Sequence, residues 1–305
     1  MKDLIIIGAG PAGLSAAVYG LRAGMDLEIL ESNYMGGGQV LNTYEVDNYL
    51  GMPHYNGFDL GMAFQNHVAD MGKEPVSCEV TALEKTDAGF LIHTDQGVME
   101  SKTVIYAAGA ANRKLDVPGE ESLKGKGVSY CATCDGALYR GQTVAVVGGS
   151  YTAVEDAIYL AGLCEKVYLI HRRDSLRAGA VLEGRLKSLP NVEILWNTIP
   201  VEILGQEEVE RFRLQNKLTG EERTLDVQGV FVAVGTVPNT QLLRGPAELD
   251  EYGYVKAGED CAASVSGLFA AGDLRTKKLR QVITAVADGA NAATAAWDYL
   301  QTVRP

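Results

Sequence analysis

The chain has 305 residues, 47% of them hydrophobic and 22% charged, which suits one large or two ordinary globular domains, each able to bury its own core. Its 27 basic and 39 acidic residues leave a formal charge of −12. This is the opposite of the basic footprint of a nucleic-acid binder, and no polybasic membrane signal is present.

The first predicted element is the strand opening "LIIIGAGPAGLSAAVYGL" (4–21), which runs without a charge. The stretch mimics an export signal or a short membrane span, but its glycines and proline are grouped. The grouping fits a strand, a Gly-x-Gly-x-x-Gly turn and a helix. In that turn Gly8 permits the tight bend, Gly10 lets the backbone approach a pyrophosphate, and Gly13 lets helix and strand pack closely. The anion then sits at the free N–H groups of the helix start. A second strand, "DLEIL" (26–30), leads to Glu31, placed to accept from ribose hydroxyls. A later strand, "TVIYAAGA" (103–110), ends in small residues. The unit reads as a βαβ dinucleotide site.

Next comes "SYCATCDGALYR" (129–140). Its Cys-x-x-Cys pair, Cys131 and Cys134, has three readings. A structural zinc site needs a second Cys or His pair, and His54, His67, His93 and His171 are scattered. A structural disulfide would close only a few residues and stabilise little. A redox-active dithiol in electronic contact with a flavin is the third, with Asp135 alongside to supply or take the exchanging proton. Cys78, Cys164 and Cys261 read as buried small hydrophobes. Five cysteines are too few and odd for a secreted framework, so a reducing, cytoplasmic setting is expected.

The chain then repeats itself. "VAVVGGSYTA" (144–153) copies the first strand and turn 140 residues later, and "KVYLI" (166–170) copies the second strand. Gly8 to Glu31 and Gly148 to His171 are both 23 residues. Where the first unit has Glu31, the second has "HRRDSLR", with Arg172, Arg173 and Arg177. Arginines there suit a 2′-phosphate, so this unit reads as an NADPH site. Its second glycine slot holds Ser150, whose Cβ crowds the closest backbone approach. "GVFVAVGT" (229–236) closes the unit as 103–110 closes the first. Between them, "QEEVERFRLQNKLTGEER" (206–223) reads as a β-hairpin with a Thr-Gly turn. FAD in the first unit and NADPH in the second is the usual chemical pairing, because a flavin accepts hydride from a nicotinamide.

"GAGPAGLSAA", "CATCDG", "GGSYTAVEDA", "HRRDSLRA" and "LFAAGDLR…RQVITAVADGANAA" together resemble, in order and spacing, the low-molecular-weight, bacterial-type thioredoxin reductases, class II pyridine nucleotide-disulfide oxidoreductases. The resemblance covers nearly the whole chain. It implies an α/β fold of two Rossmann-like domains, the second inserted in the first: an FAD-binding domain of residues 1–113 and 243–305, and an NADPH-binding domain of residues 114–242. It further implies that Cys134 lies against the flavin, Cys131 attacks the partner disulfide, and Asp135 is the acid. For FAD it implies Gly8, Gly10, Pro11, Ala12, Gly13, Glu31, the 36–39 loop with Gly38 and Gln39, Asn48, Val80, Gly109, Gly272, Asp273, Arg280, Gln281 and Val282. For NADPH it implies Gly148, Ser150, Thr152, Ala153, His171, Arg172, Arg173 and Arg177. It implies a cytoplasmic homodimer acting on thioredoxin. The chain departs from the family's pattern at Ser150, Tyr151 and "MPHYNGFDLG" (52–61). Ser150 keeps a ferredoxin-fed reductase as the second reading. A small-molecule dithiol oxidase of the same fold is the third, against which the arginines stand.

Overall fold

The computed structural model describes residues 1–33, 35–43, 46 and 48–303. The chain divides into two compact units, Met1–Ala111 with Val237–Pro305, and Asn112–Thr236. The crossings precede the expected 113/114 and 242/243 boundaries. Strands Ala110–Asn112 and Thr236–Pro238 pair with each other, so backbone pairing, rather than the Pro- and Gly-bearing segments beyond it, marks where the chain passes.

In the first unit, strands Val76–Ser77, Leu27–Glu31, Lys2–Ile7, Gly97–Tyr106 and Leu268–Ala270 lie side by side in that order, all parallel. Val80–Thr86 and Gly89–Thr94 extend the first half of Gly97–Tyr106 as an antiparallel meander. Leu4, Ile5 and Ile6 are fully buried, as expected of a parallel strand covered on both faces, which therefore reads as a continuous apolar run. Helices Pro11–Arg22 and Val282–Val303 share the core on one face through Ala12, Ala16, Ala292, Ala293 and Ala296. Their backbones come so close that a Cβ on Gly289 would stand 2.0 Å from the Ala12 carbonyl oxygen. The apolar stretch at 4–21 is thus a strand, a turn and a helix. Among the described residues, no helix is long and apolar enough to cross a membrane.

In the second unit the parallel order is Val192–Leu195, Lys166–Ile170, Thr143–Val147, Gly229–Val232, Val128–Ser129. This repeats the first sheet: third strand, second, first, returning strand, then a fifth. The fifth strand reveals the insertion. Leu268–Ala270 reaches the first sheet from beyond the second unit, whereas Val128–Ser129 precedes its own unit's first glycine turn. Arg211–Asn216 and Glu222–Asp226 form the expected hairpin on Thr198–Leu204, with Gly220 at φ +74° in the turn. Cys78, Cys164 and Cys261 are buried, and burial pushes the Cys164 and Cys261 thiols up to about 11 and 12.

Candidate active site

The first unit gathers its predicted residues at the C-terminal ends of the parallel strands, where ligands of such sheets bind. Gly8 has φ +105°, and a Cβ there would stand 2.5 Å from the Ala107 oxygen, so the turn tucks under the end of the returning strand. A Cβ on Gly13 would meet the Gly8 oxygen at 1.8 Å. Pro11 opens the helix, whose Gly10 cap contributes no side chain, leaving the first N–H groups free for an anion. Glu31 accepts from Ala9 N (2.8 Å) and, through its other oxygen, from Asn33 N (2.8 Å) and Nδ2 (2.9 Å). It therefore braces the glycine turn from the end of the second strand. Gly37 N donates to the Ala9 oxygen at 2.6 Å, and the Gly38 Cβ position lies 3.0 Å from Gly10 Cα. The two glycine backbones thus pack too closely for a side chain at position 38. The Gln39 amide donates to the Ala110 carbonyl.

The chain's distal end completes this site. A Cβ on Gly272 (φ +87°) would stand 3.1 Å from Ala12 Cβ. Asn48 Nδ2 donates to Gln281 Oε1 at 3.1 Å, just before the Val282–Val303 helix. Arg280 Nε donates to the Asp273 backbone carbonyl at 3.3 Å, and its guanidinium lies 4.1 Å from the Tyr254 ring centre. Gly109 has φ +66° and its carbonyl accepts from Asn239 N. Val80 starts the meander two residues after Cys78, whose N–H donates to the Glu31 carbonyl at 2.9 Å. Asp273 Oδ1 is buried with no hydrogen-bond partner among the described residues, its nearest cation being Lys277 Nζ at 3.8 Å; burial raises its carboxyl, which Lys277 partly opposes. A buried acceptor with hydrogen-bonding capacity to spare, next to the Gly272 turn, fits a polyhydroxylated dinucleotide such as FAD.

Sequence reasoning missed what holds this loop. Asp288, buried in the Val282–Val303 helix, accepts from Gly272 N (2.9 Å), Arg275 Nε (2.9 Å), Arg275 Nη2 (2.6 Å) and Lys277 Nζ (2.9 Å). Burial alone would raise its carboxyl, but Arg275 and Lys277 hold it below the usual range. Its only signal was an acid on an otherwise small-residue helix face.

In the second unit, Ser150 caps the Tyr151–Ala161 helix, its Oγ accepting from Ala153 N at 3.4 Å. Its backbone (φ −83°, ψ 173°) matches that of Gly10 (φ −77°, ψ −177°), so the serine leaves the turn undistorted. Ala153 is fully buried and packs under Gly148. His171 is buried over the turn, with Nε2 2.9 Å from the Ser175 carbonyl, and burial lowers its imidazole. Arg177 N donates to Gly149 O at 2.8 Å, bringing the basic loop to the turn. Thr152, Arg172, Arg173 and Arg177 are exposed, and the three guanidinium groups make no hydrogen bond or ion pair among the described residues. Open cations beside a helix N-terminus fit a phosphorylated dinucleotide.

Cys131 and Cys134 are joined as a disulfide with Cα atoms 5.3 Å apart. Cys131 caps the Ala132–Asp135 helix, and its sulfur accepts from Cys134 N at 3.2 Å. Asp135 Oδ2 accepts from Ser129 Oγ at 2.5 Å, while Oδ1 is buried without a hydrogen-bond partner among the described residues. Burial raises the Asp135 carboxyl and the serine bond partly opposes this. An acid inclined to hold its proton beside a disulfide is suited to thiol–disulfide exchange. Among the described residues, no group of three or more His, Cys, Asp or Glu is placed to hold a metal ion.

Comparison with known proteins agrees with this arrangement. Residues 2–289 match the family model for pyridine nucleotide-disulphide oxidoreductases. Thioredoxin reductase of Treponema pallidum is 41% identical over 303 residues, covering 99% of this chain and 98% of that protein. The 34.2 kDa protein in the rubredoxin operon of Clostridium pasteurianum is 38% identical over 98% of this chain and 97% of its own. The crystal structure of Streptococcus pyogenes thioredoxin reductase superposes with a TM-score of 0.93 at 39% identity, covering 99% of both chains. With two glycine turns, a disulfide in the second unit and full-length likeness of this kind, the chain belongs to the pyridine nucleotide-disulphide oxidoreductases and, within them, to the thioredoxin reductase family.

Proposed function

We propose that the enzyme passes electrons from NADPH through FAD to the Cys131–Cys134 pair, and from there to the disulfide of a thioredoxin. The observation that carries this reading is the Cys131–Cys134 disulfide beside a buried, half-matched acid. The Asp273 oxygen without a hydrogen bond and the side-chain-free Gly10 cap of the first helix support FAD in the first unit. The open arginines support NADPH in the second. When bound, FAD supplies a two-electron acceptor for nicotinamide hydride that can pass the pair to a disulfide.

The remaining chemistry belongs to the chain. In the reduced enzyme the Cys131 thiolate attacks one sulfur of the partner disulfide. That S–S bond breaks, and the leaving sulfur takes the Asp135 proton. Cys134 gives its proton to the Asp135 carboxylate and attacks Cys131, closing the Cys131–Cys134 bond and expelling the second partner sulfur as a thiolate. Asp135 ends as it began, and two electrons have moved to the partner.

Thioredoxin disulfide should make the enzyme oxidise NADPH in equal amount, and Cys131→Ser should stop it. NADPH consumption indifferent to thioredoxin would reject the reading. A ferredoxin donor remains the second reading, and its support, Ser150, is weakened by that residue's Gly10-like backbone. A cytoplasmic homodimer is part of the proposal, resting on family likeness and, for the compartment, on the three free buried thiols.

A further inference from the structure

Ser129 ends the Val128–Ser129 strand, paired to Phe231 of the Gly229–Val232 strand, and is only 5% exposed. Its oxygen is therefore fixed by the sheet rather than by a loop. Three contacts converge on it: Asp135 Oδ2 at 2.5 Å, Cys131 N at 3.1 Å and Cys131 O at 3.3 Å. A hydroxyl has one proton to give, and the nearest acceptor is Asp135. One atom thus holds both the backbone of the attacking cysteine and the carboxyl of the acid.

We propose that Ser129 is the positioning residue of the exchange reaction: by donating to Oδ2, it reserves Oδ1 of Asp135 for the mobile proton and fixes that acid relative to Cys131. The inference rests on the proposed role of Asp135. Oδ1 is the oxygen left buried and unmatched, so it is the one on which a proton relieves a desolvated charge. Without the serine bond the carboxylate loses its only hydrogen-bond donor among the described residues, and the acid holds its proton to higher pH.

The titratable groups beside Asp135 are the two cysteines and Tyr139, whose phenol is pushed up to about 12 by burial and then by Asp135. The Tyr151–Ala161 helix packed against Ala132–Asp135 carries Asp156, raised to about 6 by burial.

The test uses the flavin-loaded enzyme and two readouts: the pH profile of thioredoxin-disulfide reduction, and the pH dependence of Cys131 alkylation by iodoacetamide after reduction. Ser129→Ala should move the Asp135-dependent limb of both upward by about 0.5–1 pH unit, the size of one hydrogen bond. Ser129→Thr, which keeps the hydroxyl, should restore it, and Asp156→Asn should leave it in place. Asp135→Asn should remove the limb. Profiles for Ser129→Ala that superpose on the parent while Asp135→Asn loses the limb would overturn the role of Ser129 alone. A limb that survives in Asp135→Asn, or vanishes in Asp156→Asn, would overturn the assignment of Asp135 and the inference with it.

Discussion

The His171 ring lies directly over Gly149: a Cβ at position 149 would stand 2.0 Å from Cε1 and 2.1 Å from Nδ1. The equivalent pair in the first unit, Ala9 and Glu31, instead meets through a hydrogen bond at 2.8 Å. The same step of the repeat is thus locked by a ring in one unit and by a carboxylate in the other. Gly149→Ala should cost about 1–3 kcal/mol by overpacking. Adding His171→Ala should recover part of that, because the two residues share one contact. Thermal unfolding of the single and double variants measures both.

Changing Arg172 and Arg173 to Ala should raise KM for NADPH by about 10- to 100-fold, on the scale of one or two charge-assisted hydrogen bonds. The KM for NADH should barely move. Steady-state kinetics with both nucleotides decides it, and an equal effect on the two would remove the 2′-phosphate assignment.

Cys134→Ser should abolish disulfide reduction while flavin reduction by NADPH survives. Loss of both activities in rapid-mixing experiments would contradict the assigned order of the two cysteines.

Asp156 gives a pH signature in stability. Burial, and then the neighbouring Glu155 charge, raise its carboxyl from 3.8 to about 6, so between those values the folded protein binds more protons than the unfolded chain. Stability contributed by this group is therefore present at low pH and lost as pH rises toward 6, by at most about 3 kcal/mol. Asp156→Asn should flatten that slope and raise stability at pH 8. Urea midpoints at pH 4, 6 and 8 report it.

Asp288→Asn should be costly in another way. It weakens the acceptor of two buried cations and of the Gly272 N–H, a change worth about 3–5 kcal/mol when one side of a buried pair is lost. Flavin retention through gel filtration should fall with it, because the same carboxylate holds the Gly272–Asp273 turn. Full retention at parental stability would show that the turn is held elsewhere.

Much of this was legible in the sequence because glycine turns and apolar parallel strands are local, periodic signals. The 23-residue spacing from Gly8 to Glu31 and from Gly148 to His171 becomes two matching βαβ units. Tertiary convergence was not legible. Nothing near position 288 announces that its carboxylate would reach the Gly272 turn, and a serine two residues before Cys131 looks like any strand-end serine until the sheet aims it. Glu31 and His171 lie where the repeat puts them, and their contacts with Ala9, Asn33 and Gly149 were likewise not legible.

The central claim is tested most directly by anaerobic titration of the purified yellow protein, with flavin absorbance as the signal. NADPH should bleach the flavin rapidly and NADH should do so poorly. The parent should take up two molar equivalents of NADPH, four electrons for flavin plus disulfide, and a variant with both Cys131 and Cys134 changed to Ser should take up one. A flavin that stays oxidised under excess NADPH would contradict the account and make a ferredoxin-type protein the donor to test.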